Sequence, residues 1–316
     1  MQTIALPTRS DIENAAGRVA GYVRTTPVLD LEAGAFGEHG PLTLKLELFQ
    51  HSGSFKARGA FNLLLSRAVP EAGVVAASGG NFGLAIAYAA RALGYPASIF
   101  VPEVTVAAKR DKLSALGAKV VVTGEVYADA LAASVAEAGA TGALFAHAYD
   151  QPEVLAGGGI CARELAAQRP EFDTVLVAVG GGGLIGGFAC WYAGDTRIVA
   201  VEPEQAPTLA RALAAGEPVE VTVSGVAADS LGASRIGALG LAATQRWVER
   251  SVLVTDEEIR RAQWLLWDRV RVLCEPGSAA PLAALLAGAY VPSTDERVCL
   301  LICGANLDPG TVSPAA

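Results

Sequence analysis

VVAASGGNFGLAIAYAARALG, residues 74–94, is the stretch that decides the fold of this 316-residue chain. The four apolar residues Val74–Ala77 predict a buried strand, a glycine-rich turn follows, and Phe82–Leu93 has the pattern of a helix. The same strand–turn–helix order repeats along much of the chain, up to a last predicted strand at Arg297–Ile302. Because short buried strands that alternate with helices indicate parallel βαβ units, the sequence predicts an α/β protein.

The alternation predicts two domains, each with a mostly parallel twisted sheet flanked by helices. Residues 70–150 are expected to form a small domain, inserted into a larger one made of 1–69 and 151–316. Ligands of open α/β sheets bind at the carboxyl ends of strands. Three glycine-containing turns occupy such positions: Ser78–Asn81, Gly180–Gly183 and Cys303–Asn306. We expect these turns to converge on one cleft between the domains.

Two further local patterns give specific expectations. Ser10-Asp11-Ile12-Glu13 reads as a capping box that opens a helix, and Thr255-Asp256-Glu257-Glu258 reads as a second one. The strict alternation of Leu42–Leu48 (LTLKLEL) predicts a half-exposed strand.

Composition excludes several classes of function. The chain has 24 Lys and Arg against 32 Asp and Glu, a net charge of −8, and no basic cluster, so we expect no nucleic-acid or anionic-membrane partner. No apolar run approaches the ~18 residues of a membrane span. The start, Met1–Asp11, lacks the pattern of a signal peptide, so a cytoplasmic protein is expected. The five cysteines form no C-x-x-C pair, which favours reduced buried thiols over zinc ligands or disulfides.

The first chemical candidate is Lys56, at the end of HSGSFK (residues 51–56). A lysine amine must be neutral to attack a carbonyl, and burial lowers its pKa from the usual value of about 10.4. Such a lysine, presented by a tight turn beside an aromatic ring, is a candidate carbonyl-capturing amine. Taken alone, the turn is more typical of a solvated surface lysine.

The second candidate is the run of four glycines, Gly180–Gly183, which follows an apolar strand and precedes a helix. Successive backbone N–H groups without side chains can surround a phosphate, and the helix adds its positive end. Together with Lys56, this loop describes the two ends of pyridoxal phosphate, an aldehyde at one edge and a phosphate at the other.

The same loop has a competing interpretation. Gly181, Gly183 and Gly186 satisfy G-x-G-x-x-G, and Glu202 ends the next strand, where a dinucleotide-binding fold places its ribose acid. The segment alone is therefore also compatible with a nicotinamide-dependent oxidoreductase.

Two more turns complete the constellation. The N–H groups of Ser78–Asn81 can hold a carboxylate at a helix N-terminus, and Asn81 either caps that helix or donates to a cofactor phenolic oxygen. Cys303 follows a buried strand. It is either a structural cysteine or a weak donor near a pyridine nitrogen, which it would leave largely unprotonated.

The order of these motifs resembles that of the serine/threonine dehydratase family, which are fold-type-II pyridoxal-phosphate enzymes. SGSFKARGA (Ser52–Ala60) is similar to the lysine signature of that family. Gly180–Leu184, Glu275–Ala279 and Cys303–Asn306 are similar to its phosphate loop, its E-P-x-x-A turn and its closing motif, in the same order from about residue 10 to 310.

The resemblance implies a role for each candidate residue. Lys56 would bind the cofactor as a Schiff base and act as the base at Cα. The cofactor phosphate would be bound by the loop Gly180, Gly181, Gly182, Gly183 and Leu184. Phe55 would pack against the cofactor ring, Asn81 would contact the ring oxygen, and Cys303 would face the ring nitrogen. The substrate carboxylate would be held by Ser78, Gly79, Gly80 and Asn81. Relatives also imply a homodimer.

Departures from the family pattern narrow the expectation. Racemases of the family carry a serine, the base for the second face, where this chain has Gly79, so elimination is favoured over racemisation. Phe82 stands where relatives often have histidine, which favours a more apolar substrate. Glu202 and Ala206 occupy two places of a family cation site, but the third appears as Thr208, so no metal is expected.

The expected function is therefore pyridoxal-phosphate-dependent deamination of a small amino acid, L-threonine or L-serine, to a 2-oxo acid and ammonia. Another β-hydroxy amino acid remains an alternative: 3-hydroxyaspartate, phenylserine or an ectoine-pathway intermediate. From other classes, the nicotinamide-dependent oxidoreductase and a non-catalytic binding protein stay open.

Overall fold

A computed structural model describes residues 4–37 and 40–314 of the chain. Residues 1–3 and 315–316, at the ends of the predicted larger domain, and the pair 38–39 lie outside the described residues. The helices are α1 (Arg9–Val19), α2 (Lys56–Ser66), α3 (Asn81–Leu93), α4 (Ala107–Ala115), α5 (Tyr127–Thr141), α6 (Pro152–Gln168), α7 (Gly183–Tyr192), α8 (Thr208–Ala215), α9 (Ala228–Leu231), α10 (Ala238–Trp247), α11 (Asp256–Val270) and α12 (Pro276–Leu286). The strands are β1 (Val28–Leu31), β2 (Leu42–Leu46), β3 (Val74–Ala77), β4 (Ala97–Val101), β5 (Lys119–Val122), β6 (Leu144–Ala146), β7 (Thr174–Ala178), β8 (Arg197–Pro203), β9 (Arg250–Val254) and β10 (Val298–Ile302).

The described strands form two sheets. The larger has the order β1-β2-β10-β7-β8-β9, in which β1 pairs antiparallel with β2 and the other pairs are parallel. The smaller has the order β5-β4-β3-β6, with parallel pairs throughout. This architecture confirms the predicted α/β class with two mostly parallel sheets. The smaller sheet falls within the predicted insertion 70–150, whose boundaries stay a prediction.

Burial of the strands on both faces explains why they read as continuous apolar runs. Every residue of β3, β7 and β10 is buried, as expected for parallel strands covered by helices on each side. One apolar cluster joins α1, α2, α3, α6 and α7 to both sheets, and a second packs α11 and α12 against the other face of the larger sheet. The buried strands therefore fix the positions at which the loops after their carboxyl ends begin.

The first helix begins earlier than predicted. Thr8, rather than Ser10, is the N-cap of α1: its hydroxyl accepts from the N–H of Asp11 at 3.2 Å, and the Asp11 carboxylate accepts from the N–H of Thr8 at 2.8 Å. Aspartate three residues after the cap makes the same reciprocal pair as the expected glutamate. The second capping box is confirmed, with Thr255 and Glu258 bonded in both directions at the start of α11.

The prediction of a half-exposed strand at Leu42–Leu48 was wrong, because β2 is covered on both faces. Its polar face carries buried charges: Lys45 contacts Glu164 at 2.5 Å, and Arg58 contacts Glu47 at 2.7 Å and Glu164 at 3.0 Å. Although burial alone would raise the pKa of Glu47, the charge and hydrogen bonds of Arg58 keep it below its usual value. The alternation of LTLKLEL therefore reflects apolar packing on one face and an ion network on the other.

In the described part of the chain, no helix is long and apolar enough to span a membrane.

Candidate active site

The lysine turn is fixed to the loop that follows β10. Ser54 forms an isolated bridge with Gly304, and the N–H of Phe55 donates to the carbonyl of Cys303 at 3.0 Å. Gly53 has a φ of +76°, and a Cβ there would lie 2.8 Å from the Asn306 side chain, so this turn needs glycine. The turn thus holds the start of α2, and with it Lys56, against the carboxyl end of the larger sheet.

The Lys56 amine lies in an apolar setting with one polar partner. Its Nζ donates to the backbone carbonyl of Ala148 at 2.7 Å and lies 5.1 Å from the ring centre of Phe55 and 5.6 Å from that of Phe82. Burial lowers the pKa of Lys56 from 10.5 to about 8, while Cys303 acts in the opposite direction. A substantial fraction of this amine is therefore neutral at mildly alkaline pH, as carbonyl capture and proton abstraction require.

Lys56 and the four glycines line one cleft. A cavity of about 540 Å³ adjoins a smaller one of about 50 Å³, and both are lined by Lys56, Asn81, Gly180 and Gly181. The smaller cavity is also lined by Gly182, Gly183, Leu184, Phe55 and Cys303. The larger extends between the loops after the smaller sheet's strands and residues 228–233. The carboxyl ends of both sheets therefore face one common space.

The tetraglycine loop has the form of an anion cradle. Within the described residues, the N–H groups of Gly181, Gly182, Gly183 and Leu184 donate to no other group of the chain, as expected for the start of α7. Gly182 has a φ of +89°, and a Cβ on Gly181 would lie 2.2 Å from the ring of Tyr149. Glycine is therefore required at both positions, for backbone conformation at one and close approach at the other.

The Ser78–Asn81 turn links β3 to α3 and also lines the larger cavity. Its cap is Gly80, with no side-chain bond, so the alternative in which Asn81 caps the helix was wrong. The Asn81 amide instead donates to both oxygens of Glu275, at 3.0 and 2.9 Å, and its carbonyl accepts from Asn306 at 2.6 Å. These bonds fix the Asn81 side chain beside Lys56 through residues of the larger sheet.

Cys303 lies at the end of β10 and is buried. Its Sγ is 3.1 Å from the Ser278 hydroxyl, which also accepts from the N–H of Gly304 at 2.9 Å. Burial, assisted by the nearby carboxylate of Glu275, raises the pKa of the Cys303 thiol to about 12. Cys303 is therefore a neutral thiol at physiological pH, and it presents a weak hydrogen-bond donor rather than a charge.

Sequence reasoning missed two features of the cleft. Tyr149 packs over the glycine loop, with its hydroxyl on the carbonyl of Arg235 at 3.1 Å and its ring edge-to-face with His147. Lys109 forms an ion pair with Asp229 across the mouth of the larger cavity. The position of Tyr149 just after β6 was the available signal for the first, whereas the second joins residues 120 positions apart.

Glu202, the proposed ribose acid of the dinucleotide interpretation, is fully buried and engaged elsewhere. Its carboxylate accepts from the N–H groups of Leu209 and Ala210 at 2.6 and 2.8 Å, and from the hydroxyls of Thr208 and Ser251. Burial still raises its pKa to about 7. The residue thus caps the start of α8 and presents no group to a ribose. Over residues 4–37 and 40–314, no cluster of three or more His, Cys, Asp or Glu side chains forms a metal site.

The chain is similar to known proteins in both sequence and structure. The model of a family described as pyridoxal-phosphate dependent enzyme matches residues 19–304. An L-threonine ammonia-lyase of Geobacter sulfurreducens is 36% identical over 96% of this chain and 76% of its own length. A phenylserine dehydratase of Ralstonia pickettii is 34% identical over 98% of this chain and 97% of its own. The structure of maize serine racemase superposes with a TM-score of 0.90 at 30% identity, covering 97% of this chain and 96% of that one.

Proposed function

The chain belongs to the family of pyridoxal-phosphate-dependent enzymes, and on that premise we propose that it deaminates β-hydroxy-α-amino acids, L-threonine or L-serine, to 2-oxo acids and ammonia. One observation carries the proposal: the Lys56 amine and the acceptor-free N–H groups of the glycine loop line the same cavity. The likeness to an L-threonine ammonia-lyase supports this choice of substrate.

The residues present fit the cofactor. Gly181–Leu184 offer a cluster of unused N–H donors at a helix N-terminus, which suits a phosphate. Lys56 offers a buried amine with a pKa of about 8 for the aldehyde. We propose that Phe55 packs against the cofactor ring, that Asn81 contacts its oxygen, and that Cys303 faces its nitrogen as an uncharged thiol.

When bound, pyridoxal phosphate supplies an aldehyde that captures the substrate amine and a ring that withdraws electrons from Cα. The neutral Lys56 amine would remove the proton from Cα, and the hydroxyl would leave Cβ as water, so that the proton taken from Cα balances the one gained by the leaving group. Water replaces the amine of the resulting enamine and releases a 2-oxo acid and ammonia. We propose that the turn Ser78, Gly79, Gly80 and Asn81 holds the substrate carboxylate at the start of α3, where the N–H groups of Gly79 and Asn81 have no acceptor within the described residues.

The second face of the substrate lacks a base at the position implied by the resemblance. Gly79 has no side chain, and a Cβ there would lie 3.0 Å from Cγ2 of Thr105, which fills the space instead. A single base on one face supports elimination, whereas racemisation requires proton transfer on both. We therefore propose that the enzyme forms 2-oxo acid with little interconversion of enantiomers.

The remaining expectations belong to the same proposal. We propose that residues 70–150 form the small domain, that 1–69 and 151–316 form the cofactor domain, and that the enzyme is a cytoplasmic homodimer. The placement of the smaller sheet supports the first two, and the resemblance to dimeric relatives supports the last. Light scattering of the purified chain measures the oligomeric state directly.

The direct test compares the wild-type chain with Lys56→Ala after addition of pyridoxal phosphate. The wild type should become yellow and release 2-oxo acid and ammonia from L-threonine or L-serine, because Lys56 both retains the cofactor and moves the proton. Lys56→Ala should lose turnover by at least about a thousandfold, the scale expected on removing a group that acts in the chemical step. Lys119→Ala, at an exposed lysine on β5, should behave as wild type.

A cofactor-loaded wild type that releases no 2-oxo acid from a panel of L- and D-hydroxyamino acids would refute the proposed activity. Wild type and Lys56→Ala that both stay colourless would refute the assignment of the lysine.

A further inference from the structure

The mouth of the larger cavity is lined by apolar side chains that remain exposed among the described residues. Val104 and Val106 follow β4, and Val126 and Tyr127 follow β5; their exposed fractions are 75, 59, 57 and 37%. Large exposed apolar side chains that cluster at one site mark a surface with a partner. Here the exposed side chains also line the cavity that contains Lys56. The group that covers them would therefore be part of a molecule bound in that cavity.

Deeper in the cavity the lining is apolar as well. Phe82 lies beside the Lys56 amine, and Ala148 and Tyr149 line the same cavity. A volume of about 540 Å³ is in the range of pockets that enclose whole small molecules. The cofactor held at Lys56 would occupy part of this volume, and the rest of the lining extends to Val104 at the mouth.

The charges on the lining argue against an acidic side chain. Lys109 is paired with Asp229 across the mouth, and Glu125 adds a carboxylate. Within the described residues, no arginine lines the cavity. A second carboxylate on the substrate, as in 3-hydroxyaspartate, would therefore meet one repelling charge and no unpaired cation other than Lys56.

We propose that, among the β-hydroxy-α-amino acids that this cleft accepts, it prefers those whose β-substituent is apolar and larger than methyl, an aryl or branched alkyl group, over L-threonine and L-serine, and that Val104 and Val126 are specificity-determining residues. The proposal rests on the proposed function for its turnover test, but not for its binding test. The β-substituent covers the valines that are otherwise exposed, so each additional apolar group on the substrate adds binding free energy.

The binding test uses the holoenzyme and two amino acids with no leaving group at Cβ, L-phenylalanine and L-alanine. Each is titrated while the absorbance of the bound cofactor is followed. L-Phenylalanine should bind at least about tenfold more tightly, since even one methylene in an apolar pocket is worth about ten- to 200-fold. Equal affinity, or tighter binding of L-alanine, would overturn the proposal.

The second arm replaces Val104 with aspartate and compares it with Val291→Asp. Val291 has the same exposed fraction, 75%, and lies outside the cavity lining. Val104→Asp should weaken L-phenylalanine at least about threefold and L-alanine less than twofold, while Val291→Asp changes neither. Val126→Asp serves as the second variant, should the first be poorly folded by circular dichroism.

An equal loss for both ligands would assign the valines to closure of the cleft and overturn the specificity role. In turnover, kcat/KM for L-threo-phenylserine should exceed that for L-serine. Turnover of L-serine with no preference for the aryl compound would refute the inference and leave the proposed function intact. Preferential binding of L-phenylalanine without turnover of any hydroxyamino acid would support the inference and refute the proposed function.

Discussion

Replacement of Lys56 by methionine should stabilise the cofactor-free protein. The lysine is half-buried in the cavity wall with one carbonyl partner, and its pKa falls from 10.5 to about 8. At 1.36 kcal/mol per pKa unit, the charged amine costs the fold about 3 kcal/mol. Methionine keeps most of the length of the side chain without the charge, but leaves the Ala148 carbonyl unpaired, at a cost of about 1 kcal/mol. The net gain should be about 2 kcal/mol at pH 7.

The sign of the pH dependence follows from the two pKa values. Below about pH 8 the amine is protonated in both the folded and the unfolded chain, so the full cost is present. Between about 8 and 10.5 the unfolded chain binds more protons than the folded one, and the wild type gains stability as pH rises. The advantage of Lys56→Met should therefore be constant below about pH 8, shrink as pH rises, and reverse by pH 10.5, where mainly the cost of the unpaired carbonyl remains.

The assay is thermal unfolding of the two cofactor-free proteins from pH 6 to 10.5. For a chain of this size, about 2 kcal/mol corresponds to a midpoint shift of a few degrees. Lys119→Met, at an exposed lysine, is the control and should show no pH-dependent difference from wild type. A Lys56→Met protein that is less stable than wild type at pH 7, or a difference that does not change with pH, would refute the claim that this amine is destabilised by burial.

Two further substitutions test the supports of the site. Gly181→Ala should weaken pyridoxal-phosphate binding at least about tenfold, because its Cβ would overlap the ring of Tyr149, whose hydroxyl and ring are both held in place. The matched control is Gly139→Ala, where an added Cβ has nothing within 4 Å. Unchanged affinity of Gly181→Ala in an absorbance titration would contradict the role of the glycine loop in phosphate binding. Arg58→Met should lower the free energy of unfolding by about 3–5 kcal/mol, because it leaves Glu47 charged and buried. Arg67→Met breaks an exposed pair and should change it by less than about 1 kcal/mol; equal effects in urea unfolding would show that the buried network is not the stronger one.

Local patterns predicted β3 to the residue and β10 to within one residue, but not α12. Val74–Ala77 is short and apolar, and it lies between Gly73 and a glycine-rich turn, so it reads as a strand. In contrast, α12 is buried on every side, contains Pro281 and shows no helical periodicity, which leaves that segment without a helix signal. The pattern that identifies a helix is the contrast between its faces, and α12 has none.

The residues of the site also differ in how far the sequence alone predicts them. Lys56 and the glycine loop could be identified because their local backbone, a tight turn and a run without side chains, is written in adjacent residues. The contacts of Tyr149 with the loop, and of Lys109 with Asp229, depend on which strands are neighbours and could not. Asn81 lies between these cases: its position was predicted, but its partners Glu275 and Asn306 come from the far end of the chain.

The comparison of two lysines shows what the motif alone leaves undetermined. Lys45 and Lys56 are eleven residues apart; Lys45 is fully buried, whereas Lys56 is half-buried and lines the cavity. The amine of Lys45 donates to the Glu164 carboxylate at 2.5 Å, to the carbonyl of Thr26 at 2.9 Å and to Gln168 at 2.8 Å. Lys56 has the single neutral carbonyl of Ala148, and among the described residues no carboxylate pairs with it. Burial therefore favours the neutral, nucleophilic amine at Lys56, because a carboxylate partner would stabilise the charged form and remove its reactivity.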